Sequence, residues 1–193
     1  MIPVAIPVAL ASVLVLVGTA TFAQSATQHG GSAIQQSPSS LVQAIGMAEQ
    51  ETGGRARKAE IERERGIAAY EIKTLGKDKS AKVLVDPASG KVVRVERSGF
   101  FDAIANLFDG DDRRKDQAAL AQLEASPITL AAAVAAAERE TGGRAVKASL
   151  KNQYGQTLFE VGVVKDLVAH KVVVDPASGK VATVAQSKSK DDD

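Results

Sequence analysis

A stretch of eight residues that contains aspartate, serine and lysine occurs twice in the chain. Val-Asp-Pro-Ala-Ser-Gly-Lys-Val spans Val85–Val92 and again Val174–Val181. A serine becomes a nucleophile only when a base lies within reach to take its proton. The one histidine near either copy is His170, which has no counterpart in the first copy. Ser89 and Ser178 are therefore not predicted to be catalytic, and no catalytic residue is assigned.

Carboxylates between the two copies could instead bind a metal ion. Asp109, Asp111 and Asp112 lie around a glycine, and calcium-like ions prefer carboxylate oxygens in such loops. The spacing is not that of an EF-hand, and the same residues would also suit the start of a helix. The sequence thus leaves open a site for Ca²⁺ or another hard cation at these three aspartates, and it implies no other cofactor.

The composition excludes several kinds of chemistry. The chain of 193 residues contains no cysteine, which removes disulfides, thiolate catalysis and cysteine-bound zinc. Its net charge of +1 gives no concentrated basic surface, so no nucleic-acid partner is expected. Aromatic residues make up 4% of the chain, and the core must therefore be built mainly from valine, alanine, leucine and isoleucine.

The N-terminal segment is typical of an export signal. Ile2–Val17 is almost wholly apolar and is followed by small residues up to Ala23. Residues 1–23 are predicted to be a signal peptide cleaved after Ala23; the alternative is an uncleaved anchor, because this stretch could span a bilayer. Residues 24–39 are predicted to be a flexible lead-in. The protein is expected in the periplasm or outside the cell, or else anchored in the membrane and facing outward.

The repeated octapeptide belongs to a longer duplication. Ser40–Val95 aligns without a gap with Thr129–Val184, an offset of 89 residues. Of the 56 aligned positions, 25 are identical. The chain is therefore divided into two repeats, residues 40–97 and 129–186. They are separated by an amphipathic, helical connector over residues 98–128, and an acidic tail follows at residues 187–193.

Each repeat is predicted to begin with a helix. Ser40 with Gln43 forms a capping-box pattern, and Thr129 takes the capping position in the second copy. Apolar residues then recur at helical spacing until a pair of glycines. Gly53 and Gly142 are predicted to end the helices, because glycine readily adopts the left-handed conformation found at that position.

The period then changes to two, which predicts strands with one buried and one wet face. The first strand should bury Arg57, Ala59 and Ile61, and in the second copy Val146, Ala148 and Leu150. Because arginine stands where the second copy has valine, the first sheet is expected to be less well buried. The expected inward residues of the next three strands are Tyr70, Ile72, Thr74, Val83, Val85, Val93 and Val95, and in the second copy Phe159, Val161, Val163, Val172, Val174, Ala182 and Val184.

The octapeptide lies between the third and fourth strands, where its residue types fit a hairpin loop. Proline fixes φ near −65°, glycine takes the left-handed position, and the aspartate can accept backbone N–H groups. The structural residues of the two loops are accordingly Asp86, Pro87 and Gly90, and Asp175, Pro176 and Gly179.

A helix, a Gly-Gly pair and a four-stranded meander that ends in this hairpin resemble the PepSY domain. The residues that carry the resemblance are Leu41, Ala44, Ala48, Gly53 and Val85–Val92, and in the second copy Leu130, Ala133, Ala137, Gly142 and Val174–Val181. The resemblance implies an α+β fold in which each repeat packs one helix on a small antiparallel sheet. It also implies inhibition or assisted folding of peptidases in propeptides, and modulation of envelope proteins in free-standing versions.

The sequence therefore predicts an exported, non-enzymatic binding protein whose partner is a peptidase or another envelope protein. No protease motif such as HExxH or GxSxG occurs in the chain, so a regulated peptidase would be a separate polypeptide. The alternative is a periplasmic protein that binds Ca²⁺ or another hard cation through acidic residues of the connector and tail.

Overall fold

The structure is a computed structural model that describes residues 37–64, 67–77, 79–98, 110–153 and 155–186. Four predicted segments lie outside these residues: the leader, most of the lead-in, the first part of the connector and the acidic tail. The predictions made for them stay predictions. The first repeat contains α1 (Leu41–Thr52), β1 (Arg55–Glu64), β2 (Ile67–Leu75), β3 (Ser80–Val85) and β4 (Val92–Arg97). After α2 (Gly110–Ala125), the second contains α3 (Leu130–Thr141), β5 (Arg144–Gln153), β6 (Gln156–Lys165), β7 (Val168–Val174) and β8 (Val181–Gln186).

Both repeat helices begin and end as the sequence predicts. Ser40 Oγ accepts the N–H of Gln43 at 3.2 Å, and Gln43 Oε1 accepts the N–H of Ser40 at 2.9 Å, which completes the capping box. Thr129 caps α3 through the N–H of Ala132. The helices stop at Gly53 and Gly142, both with φ of 66°, where most side chains would be strained.

The second glycine of each pair has a different role, which is to let the backbone approach β2 or β6. A Cβ atom on Gly54 would lie 2.8 Å from the carbonyl oxygen of Leu75, and one on Gly143 would lie 2.6 Å from Val163 Cγ1. The Gly-Gly motif therefore combines a conformational requirement with a steric one.

The two repeats join into one antiparallel sheet of eight strands in the order β4-β3-β2-β1-β5-β6-β7-β8. Strands β1 and β5 meet at the centre, where Lys58, Ala59 and Glu60 pair with Ser149, Ala148 and Lys147. Helices α1 and α3 lie on one face of this sheet and contact each other. Each repeat is thus an α+β unit, as predicted, and the units are fused through their first strands.

A single apolar core runs through both units on the helix-covered face. It contains the buried side of each helix, Leu41, Ala44, Ile45 and Ala48 on α1 and Leu130, Ala133, Val134 and Ala137 on α3. Facing them, the inward residues predicted for β2, β3, β6 and β7 are buried, namely Tyr70, Ile72, Thr74, Val83, Val85, Phe159, Val161, Val163, Val172 and Val174. The period-two reading of these four strands is confirmed.

The inward positions predicted at the start of the first strand are wrong by one residue. A bulge between Ala56 and Lys58, repeated between Ala145 and Lys147, places two residues opposite one and shifts the alternation. Ala56 and Ala145 are consequently buried, while Arg57 is free to reach the connector. The supposed difference in burial between the repeats at this position therefore disappears.

The fourth strand departs from the prediction for the same reason. Bulges between Leu84 and Val85, and between Val173 and Val174, pair Val85 with Val92 and Val174 with Val181. Val92 and Val181 pack against the core, whereas Val93, expected inside, is 62% exposed. Ala182, its counterpart, is exposed as well.

The later part of the connector is helical, as the sequence predicts, and α2 ends at Ala125. Leu123 is buried and joins the common core, with Ala119 and Leu120 packed against it. Asp116 forms an ion pair with Arg57 of β1. Within the described residues, no single helix is long and apolar enough to cross a membrane. Arg114–Ala125 and Leu130–Thr141 reach that length and apolar character only when taken together, and a bend of 67° separates them.

Candidate binding surfaces

The two octapeptide loops have the same internal hydrogen bonds. Asp86 Oδ1 accepts the N–H of Ala88 at 3.0 Å, and Asp86 Oδ2 accepts the Ser89 hydroxyl at 2.6 Å. Asp175 accepts the N–H of Ala177 and the Ser178 hydroxyl at the same two distances. Gly90 and Gly179 have φ values of 69° and 71°. The aspartate, serine and glycine shared by the two loops thus each have a place in the turn.

These bonds also determine the chemistry of the aspartate and serine pair. The Ser89 hydroxyl, followed by the N–H of Ala88, holds the pKa of Asp86 below its usual range. Ser178 and Ala177 lower the pKa of Asp175 in the same way. A carboxylate with a lowered pKa is a weaker base, so neither aspartate is suited to deprotonate its serine.

An arginine at the start of each unit's first strand reaches the segment that precedes the helix of the other unit. Arg144 donates to the carbonyl oxygen of Ser37 at 2.8 Å and also to that of Ser39. Arg55, its counterpart, donates to the carbonyl oxygen of Leu123 at 3.4 Å. The buried Tyr70 hydroxyl donates to Ser39 at 2.8 Å as well. These bonds tie the two helix starts to the central joint.

The face of the sheet opposite the helices carries a network of ion pairs in the first unit. Glu71 on β2 is only 5% exposed, and Lys73 and Lys82 lie 3.7 Å from its two oxygens. Lys82 also contacts Glu96 at 3.1 Å, and Glu96 contacts Arg94 at 3.0 Å. The network extends from β2 to the edge strand β4, and its opposite charges are largely matched.

Glu71 and two carboxylates of β1 lie close enough together to hold a cation. Oxygen atoms of Glu60, Glu62 and Glu71 lie within 4.8 Å of one another. A hydrogen bond with Glu71, then desolvation and the charges of Glu71 and Glu60, raise the pKa of Glu62. Lys58 pairs with Glu60, so lysines already neutralise much of this charge. Ion pairing with lysines therefore accounts for Glu60 and Glu71 without a metal ion.

The aspartates predicted as metal ligands are not brought together by any contact described here. Asp109 lies outside the described residues, and Asp111 and Asp112 fall in the first turn of α2, where their side chains are not described. Metal binding at these residues remains a prediction from the sequence.

A cavity of about 460 Å³ lies between α2 and the strand ends of the first unit. Five cationic side chains line it, together with two acidic ones; they are Arg57, Lys73, Lys82, Arg97, Lys115, Glu96 and Asp116. Arg57 pairs with Asp116, Lys82 with Glu96, and Arg97 with Glu51 at 3.3 Å. These pairs leave little net attraction for an anion, so we assign no ligand to the cavity.

Among the described strands, β4 and β8 form the two edges of the sheet, and each has a neighbouring strand on one side only. Equivalent residues form both edges, yet their chemistry differs. Strand β4 reads Val-Val-Arg-Val-Glu-Arg, and β8 reads Val-Ala-Thr-Val-Ala-Gln. The sequence alone does not show that these two strands lie at the outside of one sheet, so it does not reveal this difference.

One pair of residues was missed entirely by the sequence reasoning. Glu49 Oε1 accepts the N–H of Ala56 at 2.8 Å, and Glu138 does the same for Ala145. Each glutamate thus satisfies a backbone group at the bulge and fixes the helix against the first strand. The signal was present in the sequence, since this glutamate is identical in the two repeats.

The sequence matches one family model twice, over residues 38–96 and 127–184. That family is described as "Peptidase propeptide and YPEB domain". The two matches cover more than half of the chain and coincide with the two units of the fold. The chain belongs to the PepSY family. It carries PepSY domains in tandem, and the resemblance inferred from the helix, glycine pair and hairpin is confirmed.

Solved structures show a weaker likeness to this tandem PepSY chain. A candidate lipoprotein from Clostridium difficile 630 is 18% identical with a TM-score of 0.43, over 75% of this chain and 90% of that one. A candidate periplasmic protein from Bacteroides eggerthii DSM 20697 is 10% identical with a TM-score of 0.24, over 77% and 89%. No curated protein matches the sequence significantly.

Proposed function

We propose that this tandem PepSY protein is an exported, non-catalytic protein that binds and regulates another protein of the cell envelope, with a peptidase as the first candidate. The observation that carries the proposal is the structural use of the repeated polar residues. Asp86, Ser89, Asp175 and Ser178 are engaged within their own loops, and the duplication is thereby accounted for without a reacting group.

Membership of the PepSY family and the predicted leader support the same proposal. The family description includes peptidase propeptides, and residues 1–23 read as an export signal. A regulator of this kind would act through its surface, and an antiparallel sheet with open edges can accept an extended segment of a partner.

Affinity capture from an envelope extract tests this function. The chain beginning at Gln24 is immobilised, and retained proteins are compared with those retained by a mock-loaded support and assayed for peptidase activity. We expect the same protein to be retained in repeated captures and its activity to change in the presence of the chain. The absence of any reproducible retention contradicts the proposal.

A double variant, Ser89→Ala with Ser178→Ala, separates binding from catalysis. It removes both hydroxyls but leaves the strands and helices unchanged, so we expect full capture of the partner with a small loss of stability. If the wild-type chain shows a substrate turnover that this variant lacks while remaining folded, the protein is an enzyme and the proposal is wrong.

A further inference from the structure

We propose that strand β8, and not β4, is the recognition edge of the protein, and that it pairs with an extended, uncharged segment of the partner. This inference rests on the proposed function and narrows it to one strand. The two edges occupy equivalent places in the duplicated fold, so the protein provides its own comparison between an edge that binds and one that does not.

The first argument is the charge along each edge. Strand β4 carries Arg94, Glu96 and Arg97, and the equivalent residues of β8 are Thr183, Ala185 and Gln186. Charged side chains on an edge strand hinder its pairing with another chain, and their absence permits it. All three charges of β4 are missing from β8, which is therefore the edge open to an added strand.

The second argument is the ion pairing of the β4 charges. Arg94 and Lys82 both contact Glu96, and Arg97 contacts Glu51 at the end of α1. A strand added beside β4 would disturb these pairs and bring its backbone next to three charged side chains. No residue of β8 forms an ion pair in the described part of the chain, because the strand has no charged residue.

The third argument is the apolar surface beside β8 on the helix-covered side. Val184 lies opposite Val172 in the sheet and is 45% exposed although Val172 is fully buried. A strand paired with β8 would place one of its side chains next to Val184, as neighbouring strands do within the sheet. An apolar residue at that position would cover the valine.

The other face of the edge indicates what the remaining residues of the ligand should be. Thr183 and Ala185 lie opposite Val173 and Lys171 of β7. Both edge side chains are small and uncharged, and Lys171 is already paired with Glu160 at 2.6 Å. The preferred segment therefore alternates apolar residues with small, uncharged polar ones, and charge in its centre is disfavoured.

The occupant is a single strand of a partner and not a second copy of this chain. A stable dimer commonly buries more than about 1,000 Å², and six edge residues without helix contacts supply less. At the central joint, three pairs of residues suffice only because α1 and α3 also contact each other and share a core. A dimer formed through β8 would lack such support.

The duplication offers matched variants for a test. In one variant β8 receives the charges of β4, with Thr183→Arg, Ala185→Glu and Gln186→Arg. In the reciprocal variant β4 receives the residues of β8, with Arg94→Thr, Glu96→Ala and Arg97→Gln. Each set of side chains already occurs on the equivalent edge strand of the other repeat, so both variants should fold. Circular dichroism and thermal unfolding verify that they do.

The probe is a synthetic peptide with a Thr-Val-Thr-Val-Thr-Val core and one lysine at each end for solubility. It is titrated into the ¹⁵N-labelled chain beginning at Gln24, and amide shifts are followed. We expect shifts confined to β8 and the facing residues of β7, and at least tenfold weaker binding to the charged β8 variant. The reciprocal variant should gain a second site on β4. A peptide N-methylated on all six core residues has no N–H group to donate to the ladder and should not bind.

Three results overturn the inference. They are shifts that map to β4 or another surface, no shifts on β8 at millimolar peptide, and concentration-dependent β8 shifts without peptide, which would identify a second copy as the occupant. Failure of the proposed function is distinguishable. If both variants capture the same envelope protein as the wild type, the function stands and β8 is not its site. If the wild type itself captures no envelope protein, the proposed function is wrong.

Discussion

Ala59 and Ala148 lie directly opposite each other where β1 meets β5. They are equivalent residues of the two repeats, and both are buried beneath the helices. The duplicated units are thus related by an approximate two-fold axis that passes close to this pair. The joint leaves the fourth strand of each unit at an outer edge, which is why the protein has two equivalent edges of different chemistry.

Ala148→Leu should destabilise the whole protein. The added atoms must fit between β5 and the helices, and overpacking of a filled core costs about 1–3 kcal/mol. Urea unfolding followed by circular dichroism should show one cooperative transition shifted to lower urea, because the core is continuous through both units. Ala185→Leu, on the exposed strand β8, is the control and should change little. Two separate transitions in the wild type would contradict a shared core.

The two glycines of the second Gly-Gly pair should respond differently to alanine. Gly142→Ala strains a residue with φ of 66° and should cost about 1–2 kcal/mol. Gly143→Ala brings a Cβ within 3.0 Å of Val163, Val164 and Lys165 and should cost about 3 kcal/mol or more. Thermal unfolding measures both.

Gly46→Ala is the matched control for these glycines. This residue lies inside α1, and nothing would lie within 4 Å of an added Cβ. Alanine there should stabilise the protein by about 0.5–1 kcal/mol. Equal losses at Gly142 and Gly143 would show that the second glycine has no steric role.

Arg144→Met should weaken the tie between the units. Arg144 bonds two carbonyl oxygens before α1, and hydrogen bonds from charged groups contribute about 1.5–3 kcal/mol. The free energy of unfolding should fall by about 2 kcal/mol, and hydrogen exchange should increase at the start of α1. Arg55→Met removes one longer bond and should cost less than half as much. The reverse order would contradict the assigned contacts.

Glu62→Gln tests the carboxylate cluster through pH. The native pKa of Glu62 is raised, so the folded protein binds this proton more tightly than the unfolded chain does. The ionised residue is therefore destabilising above its native pKa, and the penalty is lost as the pH falls through that value. The variant should be more stable near neutral pH by about 0.5 kcal/mol, since solvent screens an exposed group.

The pH dependence of the stability difference between Glu62→Gln and the wild type decides whether the raised pKa is its cause. The gain over wild type should shrink as the pH is lowered from 7 towards 4, measured by urea unfolding at each pH. Glu124→Gln, on the exposed side of α2, is the control for loss of a charge alone. A gain that stays constant over this range would exclude a raised pKa as its cause.

Sequence reasoning succeeded where local chemistry decides the structure. Ser40, Gly53, Asp86 and Gly90 each have one conformational task, which their residue types reveal. The reasoning failed at Arg57 and Val93, because a bulge moves the alternation by one residue and depends on pairing with a neighbouring strand. The union of the two sheets also depends on contacts between distant residues, and a pair such as Ala59 and Ala148 carries no recognisable signal.

The candidate site was likewise only partly predictable from the sequence. The duplication is visible in the sequence, whereas the difference between β4 and β8 becomes meaningful only once both strands are placed at the outside of one sheet. Thr183 and Ala185 are unremarkable residues in the sequence. Their importance comes from the fact that Arg94 and Glu96 occupy the same places in the other unit.

Hydrogen exchange of the natural complex is the most direct measurement of how this protein acts. The chain beginning at Gln24 is labelled alone and together with the envelope protein that it captures, and deuterium uptake is compared by mass spectrometry. The account predicts slower exchange in Val181–Gln186 and unchanged exchange in Val92–Arg97. Protection of the β4 edge or of the octapeptide loops, with β8 unaffected, would contradict it.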